Sequence, residues 1–272
     1  MAVAILREMK DQALTDLTND DIKIKFIEES KKEGQKNYEA FQKREEKNKK
    51  LQEELLKEAE IKKYKSNSQI TKKVQKASFE IATFKNDKER KYFNYFRNYC
   101  KHFDEVREDV IGILITGNPG TGKSFVTSCI YNELQNKYKV YRFNFSFYIE
   151  TLKQNFNEME RLNLVKNADL VIIDDLGNEM LETEYKKNQN DENTISWRQE
   201  RMFNLFQEIY ENEIPVIINT NLTFSQLNKF LEIKKSDKLL DRLIEDCKHL
   251  YFDWKSRRSE IKKDKFKKYF GE

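Results

Sequence analysis

The first part of the chain carries its apolar residues sparsely, at steps that are often three or four. Between residues 20 and 64 the sequence is dominated by Lys and Glu and contains no proline. Such steps place side chains on one face of a helix, so this stretch predicts long helices with a narrow apolar stripe. The stripe comprises Phe26, Ile27, Tyr38, Phe41, Leu51, Leu55 and Ala59. It is too narrow to form a core alone, and Ser-Asn-Ser at residues 66–68 is typical of a linker.

The pattern leaves two interpretations of this stripe open. A charged helix with few apolar residues can stand in solvent or be partly disordered, because it buries too little apolar surface to offset the entropy of ordering. Alternatively, the helix is a docking element whose apolar stripe is completed by a partner.

From Ala77 onward the pattern changes to short apolar runs that alternate with helical stretches. This predicts strands at residues 110–116, 140–145, 170–173 and 216–219, and helices at 86–103, 125–134, 147–164 and 197–212. The aromatic residues at helical spacing in the first of these helices indicate core packing. Alternating strands and helices predict an α/β fold with a parallel sheet flanked by helices on both faces. Ligands of such sheets bind beyond the carboxyl ends of the strands.

Glycine is rare in this chain, yet it clusters between the first predicted strand and the next helix. Three of the seven glycines and one of the two prolines lie in residues 117–124, which read G-x-x-x-x-G-K-S. This is the P-loop pattern in the context that it requires, where backbone N–H groups and the helix N-terminus hold phosphates. Lys123 is expected at the β- and γ-phosphates, and the Ser124 hydroxyl at Mg²⁺. The predicted phosphate-binding residues are Gly117, Asn118, Pro119, Gly120, Thr121, Gly122, Lys123 and Ser124.

Polar side chains follow two further predicted strands. Asp174 and Asp175 come directly after the apolar run of the third strand, about fifty residues beyond the P-loop. We expect Asp174 to hold Mg²⁺, directly or through water, and Asp175 to orient or activate the attacking water; a simple turn is the alternative. Asn221 follows the fourth strand and is expected to hydrogen-bond the γ-phosphate or the water, unless it only caps the next helix.

Composition narrows the possible classes of protein. Charged residues make up 36% of the 272 residues and hydrophobic ones 38%, with a net charge of +4. No apolar run approaches the ~18 residues that span a bilayer, and the first residues lack the basic region of a signal peptide. Three scattered cysteines and two histidines cannot form a zinc site, and we expect reduced thiols in a cytoplasmic protein.

The C-terminal segment combines positive charge with aromatic rings. Basic residues from Lys255 to Lys268 are interleaved with Phe266, Tyr269 and Phe270. This combination suits single-stranded DNA, whose backbone is anionic and whose bases stack on rings. A solvated helix end is the equal alternative.

Taken together, these motifs resemble AAA+ replicative helicase loaders of the DnaC/DnaI type, including phage-encoded members, and the related IstB-like ATPases. The resemblance covers about residues 76–260 and is carried by the P-loop, Asp-Asp-Leu-Gly at 174–177, Thr-Asn-Leu at 220–222, Asp-Arg at 241–242 and Asp-Trp-x-Ser-x-Arg at 253–258. It implies that Arg242 is an arginine finger for a neighbouring subunit's ATP. It also implies that Arg258 is a sensor 2 arginine at the same subunit's γ-phosphate. Surface ion pairs are the alternative for both.

The resemblance further implies an activity and its partners. Residues 1–75 would form a helical helicase-docking region with a linker, and residues 76–272 an AAA+ ATPase domain with a basic C-terminal segment. The cofactors would be ATP/ADP and Mg²⁺, and the ATPase would be weak and stimulated by partners or DNA. The partners would be a hexameric replicative DNA helicase, single-stranded DNA and other copies of the chain through the AAA+ domain, with no membrane. An IstB-type transposition helper and a non-hydrolysing scaffold remain alternatives.

Two positions depart from the family pattern. The chain has no cysteine before Cys100, which indicates an N-terminal region without the zinc module of the DnaI subgroup. Ile209-Tyr210 stands where many members carry an Arg-Tyr pair, which leaves one auxiliary contact between subunits in doubt.

Overall fold

The computed structural model describes residues 19–155, 158–177, 192–231, 241–242 and 245–271. The chain divides into two compact units, residues 1–58 and 59–272. The described part of the first unit belongs to α1 (Asn19–Asn67), a helix of 49 residues. Every described side chain from residue 23 to 58 is exposed, including the apolar ones of the predicted stripe.

The second unit begins within α1, earlier than the boundary that the sequence predicted at residues 75/76. Ile61 and Tyr64 are buried, and the Tyr64 hydroxyl donates a 2.9 Å hydrogen bond to the carbonyl of Leu164. Ser68 Oγ donates to the carbonyl of Val140 and accepts from the N–H of Arg142. Residues 66 and 67 therefore end α1, and Ser68 pairs with the backbone of Val140 and Arg142, where the sequence predicted a linker.

The described residues form a five-stranded parallel sheet in the order β2-β3-β4-β1-β5. Its strands are β1 (Gly112–Gly117), β2 (Val140–Asn144), β3 (Leu170–Leu176), β4 (Val216–Thr220) and β5 (Cys247–Phe252). The α/β prediction is confirmed, and β4 lies between β1 and β3. The sequence did not predict β5, an edge strand in which buried and exposed residues mix. β3 runs past the predicted end, with an irregular register between Ile173 and Leu176.

Helices cover both faces of the sheet. They are α2 (Lys72–Gln75), α3 (Asp87–Lys101), α4 (Phe103–Glu108), α5 (Lys123–Leu134), α6 (Phe145–Asn155), α7 (Glu158–Lys166), α8 (Glu192–Glu211), α9 (Phe224–Leu231) and α10 (Arg258–Phe270). The single helix predicted at 147–164 is two helices, α6 and α7.

Successive strand residues enter opposite cores, as side chains alternate across a strand. Ile113 and Ile115 pack with α3 and α5, whereas Leu114 packs with α6, α7 and α8. Three aromatic side chains of α3, those of Phe93, Phe96 and Tyr99, are buried in the core that contains Ile113, as predicted, whereas Tyr95 is exposed.

Candidate nucleotide-binding site

The P-loop joins β1 to α5 in the conformation that its glycines permit. Gly117, Gly120 and Gly122 have φ values of 142°, 83° and 102°, which residues with a side chain rarely adopt. A Cβ atom on Gly117 would collide with the carbonyl of Phe252, and one on Gly120 with Ser256. The loop therefore combines left-handed backbone with close packing against the C-terminal segment.

The Lys123 ammonium lies inside the loop. Nζ donates hydrogen bonds to the carbonyls of Gly117 (2.7 Å) and Asn118 (3.0 Å) and to Oδ1 of Asn221 (2.7 Å). Burial lowers the pKa of Lys123 to about 8, with nearby Asp175 opposing the shift and Arg258 adding to it. An anion in the loop would favour the charged ammonium. The arrangement thus suits a lysine that exchanges backbone carbonyls for phosphate oxygens.

Asp174 is buried and faces neighbouring strands. Thr127 Oγ1 donates a 3.0 Å hydrogen bond to its Oδ1, Asn219 Nδ2 donates to the same oxygen, and the Arg142 guanidinium pairs with Oδ2. Burial raises the pKa of the Asp174 carboxyl, and Arg142 opposes that rise. Sequence reasoning missed these three partners, although Arg142 and Asn219 interrupt apolar strands, which is a readable signal of a buried polar group.

Asp175 differs from its neighbour in both backbone and surroundings. Its φ is 53°, in the left-handed region that is unfavourable for a residue with a side chain, and its N–H donates a 2.8 Å hydrogen bond to Asn219 Oδ1. Strained backbone of this kind is found at functional sites, where the surrounding structure maintains it. The Asp175 side chain lines the same cleft as Lys123, Ser124 and Asn221.

That cleft has a volume of about 480 Å³, within the range of small-molecule sites. Its far wall was not predicted from the sequence. Ile81, Ala82 and Thr83, which precede α3, face the P-loop there together with Phe93 and Lys73. These residues provide an apolar surface beside the phosphate-binding loop, as a nucleotide base requires.

The C-terminal segment closes over the P-loop. Trp254 Nε1 donates a hydrogen bond to the carbonyl of Thr121 (2.8 Å), and the backbone N–H of Arg257 donates one to the carbonyl of Gly120 (2.9 Å). The Arg257 guanidinium pairs with the buried Glu89 and donates to the carbonyl of Thr83 (2.6 Å). Arg258, the predicted sensor, is exposed and lines the cleft. The two adjacent arginines therefore differ, since one is held in an ion pair with Glu89 and the other faces the ligand space.

Arg242 lies away from this cleft. Its guanidinium stacks 4.3 Å from the centre of the Tyr210 ring, in a second pocket that also contains Gly112, Val216 and Cys247. These three residues begin β1, β4 and β5, so the pocket lies at the amino ends of the strands, whereas the P-loop lies at their carboxyl ends. Several acidic side chains share it: Asp109, Glu211, Glu213, Glu245 and Asp246. Within one chain, Arg242 therefore does not join the other predicted site residues.

The donor set of the cleft fits a magnesium ion. The ion prefers a few carboxylate or hydroxyl oxygens and completes its shell with phosphate oxygens and water. Ser124 and Asp175 line the cleft, whereas Asp174 is not among the described residues that line it. The described side chains contain no group of three or more metal-binding residues, so such an ion would depend on the phosphates.

No described helix is both long and apolar enough to cross a membrane.

Several known proteins are similar to this chain in sequence. XkdC, a protein of the phage-like element PBSX of Bacillus subtilis, is 26% identical over 159 residues, which are 57% of this chain and 55% of XkdC. The replicative helicase loader DnaI of B. subtilis is 23% identical over 196 residues, 67% of this chain and 58% of DnaI. The replicative helicase loader DnaC of Escherichia coli is 25% identical over 194 residues, 69% of this chain and 71% of DnaC. The chain thus spans little more than half the length of XkdC and DnaI.

Solved structures share the fold. A crystal structure of the DnaC helicase loader superposes with a TM-score of 0.53 at 20% identity and covers 66% of this chain and 99% of its own. A crystal structure of DnaI superposes with a TM-score of 0.54 at 19% identity and covers 70% of this chain and 94% of its own. The model of the family described as IstB-like ATP binding protein matches residues 24–265. The chain therefore belongs to the IstB-like ATP-binding protein family.

Proposed function

We propose that this protein is an ATP-dependent loader that binds a hexameric replicative DNA helicase and delivers it onto single-stranded DNA. The observation that carries the proposal is the presence, in one chain, of a P-loop cleft and a helix with exposed apolar side chains. The relatives named as replicative helicase loaders support it, since they align with about two thirds of the chain.

ATP would bind with its phosphates in the P-loop and its base beside residues 81–83. Lys123 would leave its carbonyl partners for the β- and γ-phosphates, and Ser124 and Asp174 would hold the metal ion. A bound Mg²⁺ ion would neutralise phosphate charge in the transition state. Asp175 would orient the attacking water, and Asn221 and Arg258 would contact the γ-phosphate or that water. Apart from the buried Asp174, these groups all line one cleft.

Hydrolysis would also need a second copy of the chain. Arg242 lies at the amino ends of the strands, and its own P-loop lies at their carboxyl ends. It could therefore stabilise a transferring phosphoryl group only across a subunit interface. Hydrolysis of ATP would in this way depend on contact between AAA+ domains.

The docking region would be α1, within residues 1–75. Its large exposed apolar side chains are Ile24, Phe26, Ile27, Tyr38, Phe41, Leu51, Leu55 and Leu56. Burying such surface on a partner contributes roughly 25 cal/mol per Å², before the costs of ordering and association. A partner helix or groove could therefore be held by this stripe.

DNA would be held by α10. Six of the 51 basic residues and two of the 47 acidic ones lie in this helix, which leaves 45 of each sign elsewhere. The whole formal net charge of +4 is therefore carried by α10. Phe266, Tyr269 and Phe270 are exposed on it, available for stacking on bases.

A transposition helper of the IstB type is the second candidate. The family model begins at residue 24, so most of α1 lies within the matched range and does not by itself separate a loader from a helper. The partner would then be a transposase. A non-hydrolysing scaffold is the third candidate, and steady-state ATPase activity with single-stranded DNA and helicase separates it from the other two.

The docking test compares two single-residue variants of the full chain. Phe41→Glu places a charge in the stripe, whereas Gln42→Glu adds the same charge at the adjacent exposed position. We expect Phe41→Glu to lose binding to purified helicase and to retain ATP binding, with Gln42→Glu like the parent. Binding to a transposase but not to a helicase would favour the second candidate, and equal helicase binding by both variants would refute the docking role of the stripe.

A further inference from the structure

Arg142 connects the buried Asp174 to the segment that follows α1. It lies in β2, and its side chain is only 5% exposed. One side of the guanidinium pairs with Asp174 Oδ2, and Nη1 donates a 2.8 Å hydrogen bond to the carbonyl of Gln69. Gln69 lies two residues after the end of α1.

Residues 68 and 69 are bound along β2, which is the last strand on its side of the sheet. The N–H of Gln69 donates to the carbonyl of Arg142 (2.8 Å), and the N–H of Asn144 donates to Gln69 Oε1 (3.0 Å). Ser68 adds two bonds, from the N–H of Arg142 (3.0 Å) and to the carbonyl of Val140 (3.2 Å). Gln69 is thus held both by the strand backbone and by the Arg142 side chain.

The Asp174 carboxylate has little capacity left for another partner. Its two oxygens offer about four acceptor sites, of which Thr127, Asn219 and Arg142 occupy three. A divalent cation at Asp174 would meet the Arg142 guanidinium at the same carboxylate. Like charges in a buried site repel strongly, because little water screens them.

We propose that Arg142 is a positioning residue that competes with the metal for the Asp174 carboxylate and ties this carboxylate to Gln69. When a metal·nucleotide complex engages Asp174, the guanidinium loosens its hold on both Asp174 and Gln69. The state of the nucleotide site is thereby linked to the segment at the end of α1. The inference rests on the proposed nucleotide function.

Hydrogen exchange of the unmodified protein tests this link directly. With a non-hydrolysable ATP analogue bound, addition of Mn²⁺ should speed exchange of the Gln69 and Asn144 amides at least threefold, since both depend on the position of Gln69. Unchanged exchange, with analogue and metal both shown to be bound, would overturn the inference while leaving the proposed function intact. Absence of analogue binding would overturn both.

Metal affinity supplies a second readout, measured by electron paramagnetic resonance of Mn²⁺ with the analogue present. Arg142→Met should bind Mn²⁺ about tenfold more tightly, because a like charge beside the carboxylate is removed. Arg142→Lys keeps that positive charge, so its affinity for Mn²⁺ should stay within about threefold of that of the parent. The control is Arg107→Met, which removes the ion pair between Arg107 and Asp169 (2.9 Å). Asp169 lies just before β3 begins, at the opposite end of that strand from Asp174. This variant should leave the affinity for Mn²⁺ unchanged.

Two results would count against the inference. They are an Arg142→Met protein that is folded but binds Mn²⁺ no more tightly than the parent, and an Arg107→Met protein with the same gain. If Arg142→Met does not fold, Arg142→Lys and the exchange comparison decide. Arg142→Lys should then speed Gln69 exchange even without metal, because a lysine cannot span Asp174 and the Gln69 carbonyl together.

Discussion

Replacing Tyr64 should destabilise the second unit (residues 59–272), although this residue lies in the same helix as the exposed stripe. Its side chain is 4% exposed, and its hydroxyl donates to the carbonyl of Leu164 in the last turn of α7. Carbonyls there have no partner within the helix. Truncating a buried aromatic residue costs about 3–5 kcal/mol, and losing the hydrogen bond about 1 kcal/mol. We therefore expect a loss of about 4–6 kcal/mol for Tyr64→Ala and about 1 kcal/mol for Tyr64→Phe.

Urea unfolding of the full chain measures these values, with Leu55→Ala as the control. Leu55 lies in the same helix but is 57% exposed, so its truncation should change stability by no more than about 0.5 kcal/mol. Equal effects of Tyr64→Ala and Leu55→Ala would refute the assignment of the end of α1 to the second unit. The same reasoning predicts that removal of residues 1–58 leaves a stable core, whereas removal of 1–70 does not.

Three substitutions test the nucleotide site. Lys123→Ala should abolish ATP binding in a fluorescent-nucleotide titration, because the ammonium within the P-loop is lost; unchanged affinity would contradict the site. Asp175→Asn should keep Mg·ATP binding but slow steady-state hydrolysis about 100-fold or more, the range of general-base contributions; parallel loss of binding and turnover would place Asp175 among the metal ligands instead. Arg242→Ala should bind ATP without hydrolysing it, and mixing it with Lys123→Ala should restore some ATPase activity, because an intact site forms between two different mutants. No rescue at any mixing ratio would exclude a role across the interface.

The parts of the site that could be predicted are those that local chemistry encodes. The P-loop is readable because its glycines, Lys123 and Ser124 are adjacent in sequence and each has a separate physical role. The parallel sheet is readable because buried strands such as β3 are continuous apolar runs. The sequence did not predict β5 because this edge strand is not a continuous apolar run. Its residues Lys248, His249 and Tyr251 are exposed.

What the sequence left out depends on contacts between distant residues. Arg142 reaches Asp174 because β2 pairs with β3 in a register that sets Arg142 beside Ile172, two positions from Asp174 on the same face. No feature of either strand alone encodes that register. The burial of Tyr64 at the end of α1 is hidden from the sequence for a similar reason, since it depends on core residues that are distant in sequence, such as Leu164.

Loading of a hexameric replicative helicase onto circular single-stranded DNA tests the central proposal most directly. A circle has no free end for the ring to thread, so the amount of helicase recovered on it by gel filtration reports delivery. We predict that delivery requires this protein and ATP, and that Lys123→Ala and Phe41→Glu each abolish it. Equal recovery of helicase on the circle with and without the protein would contradict the loader function.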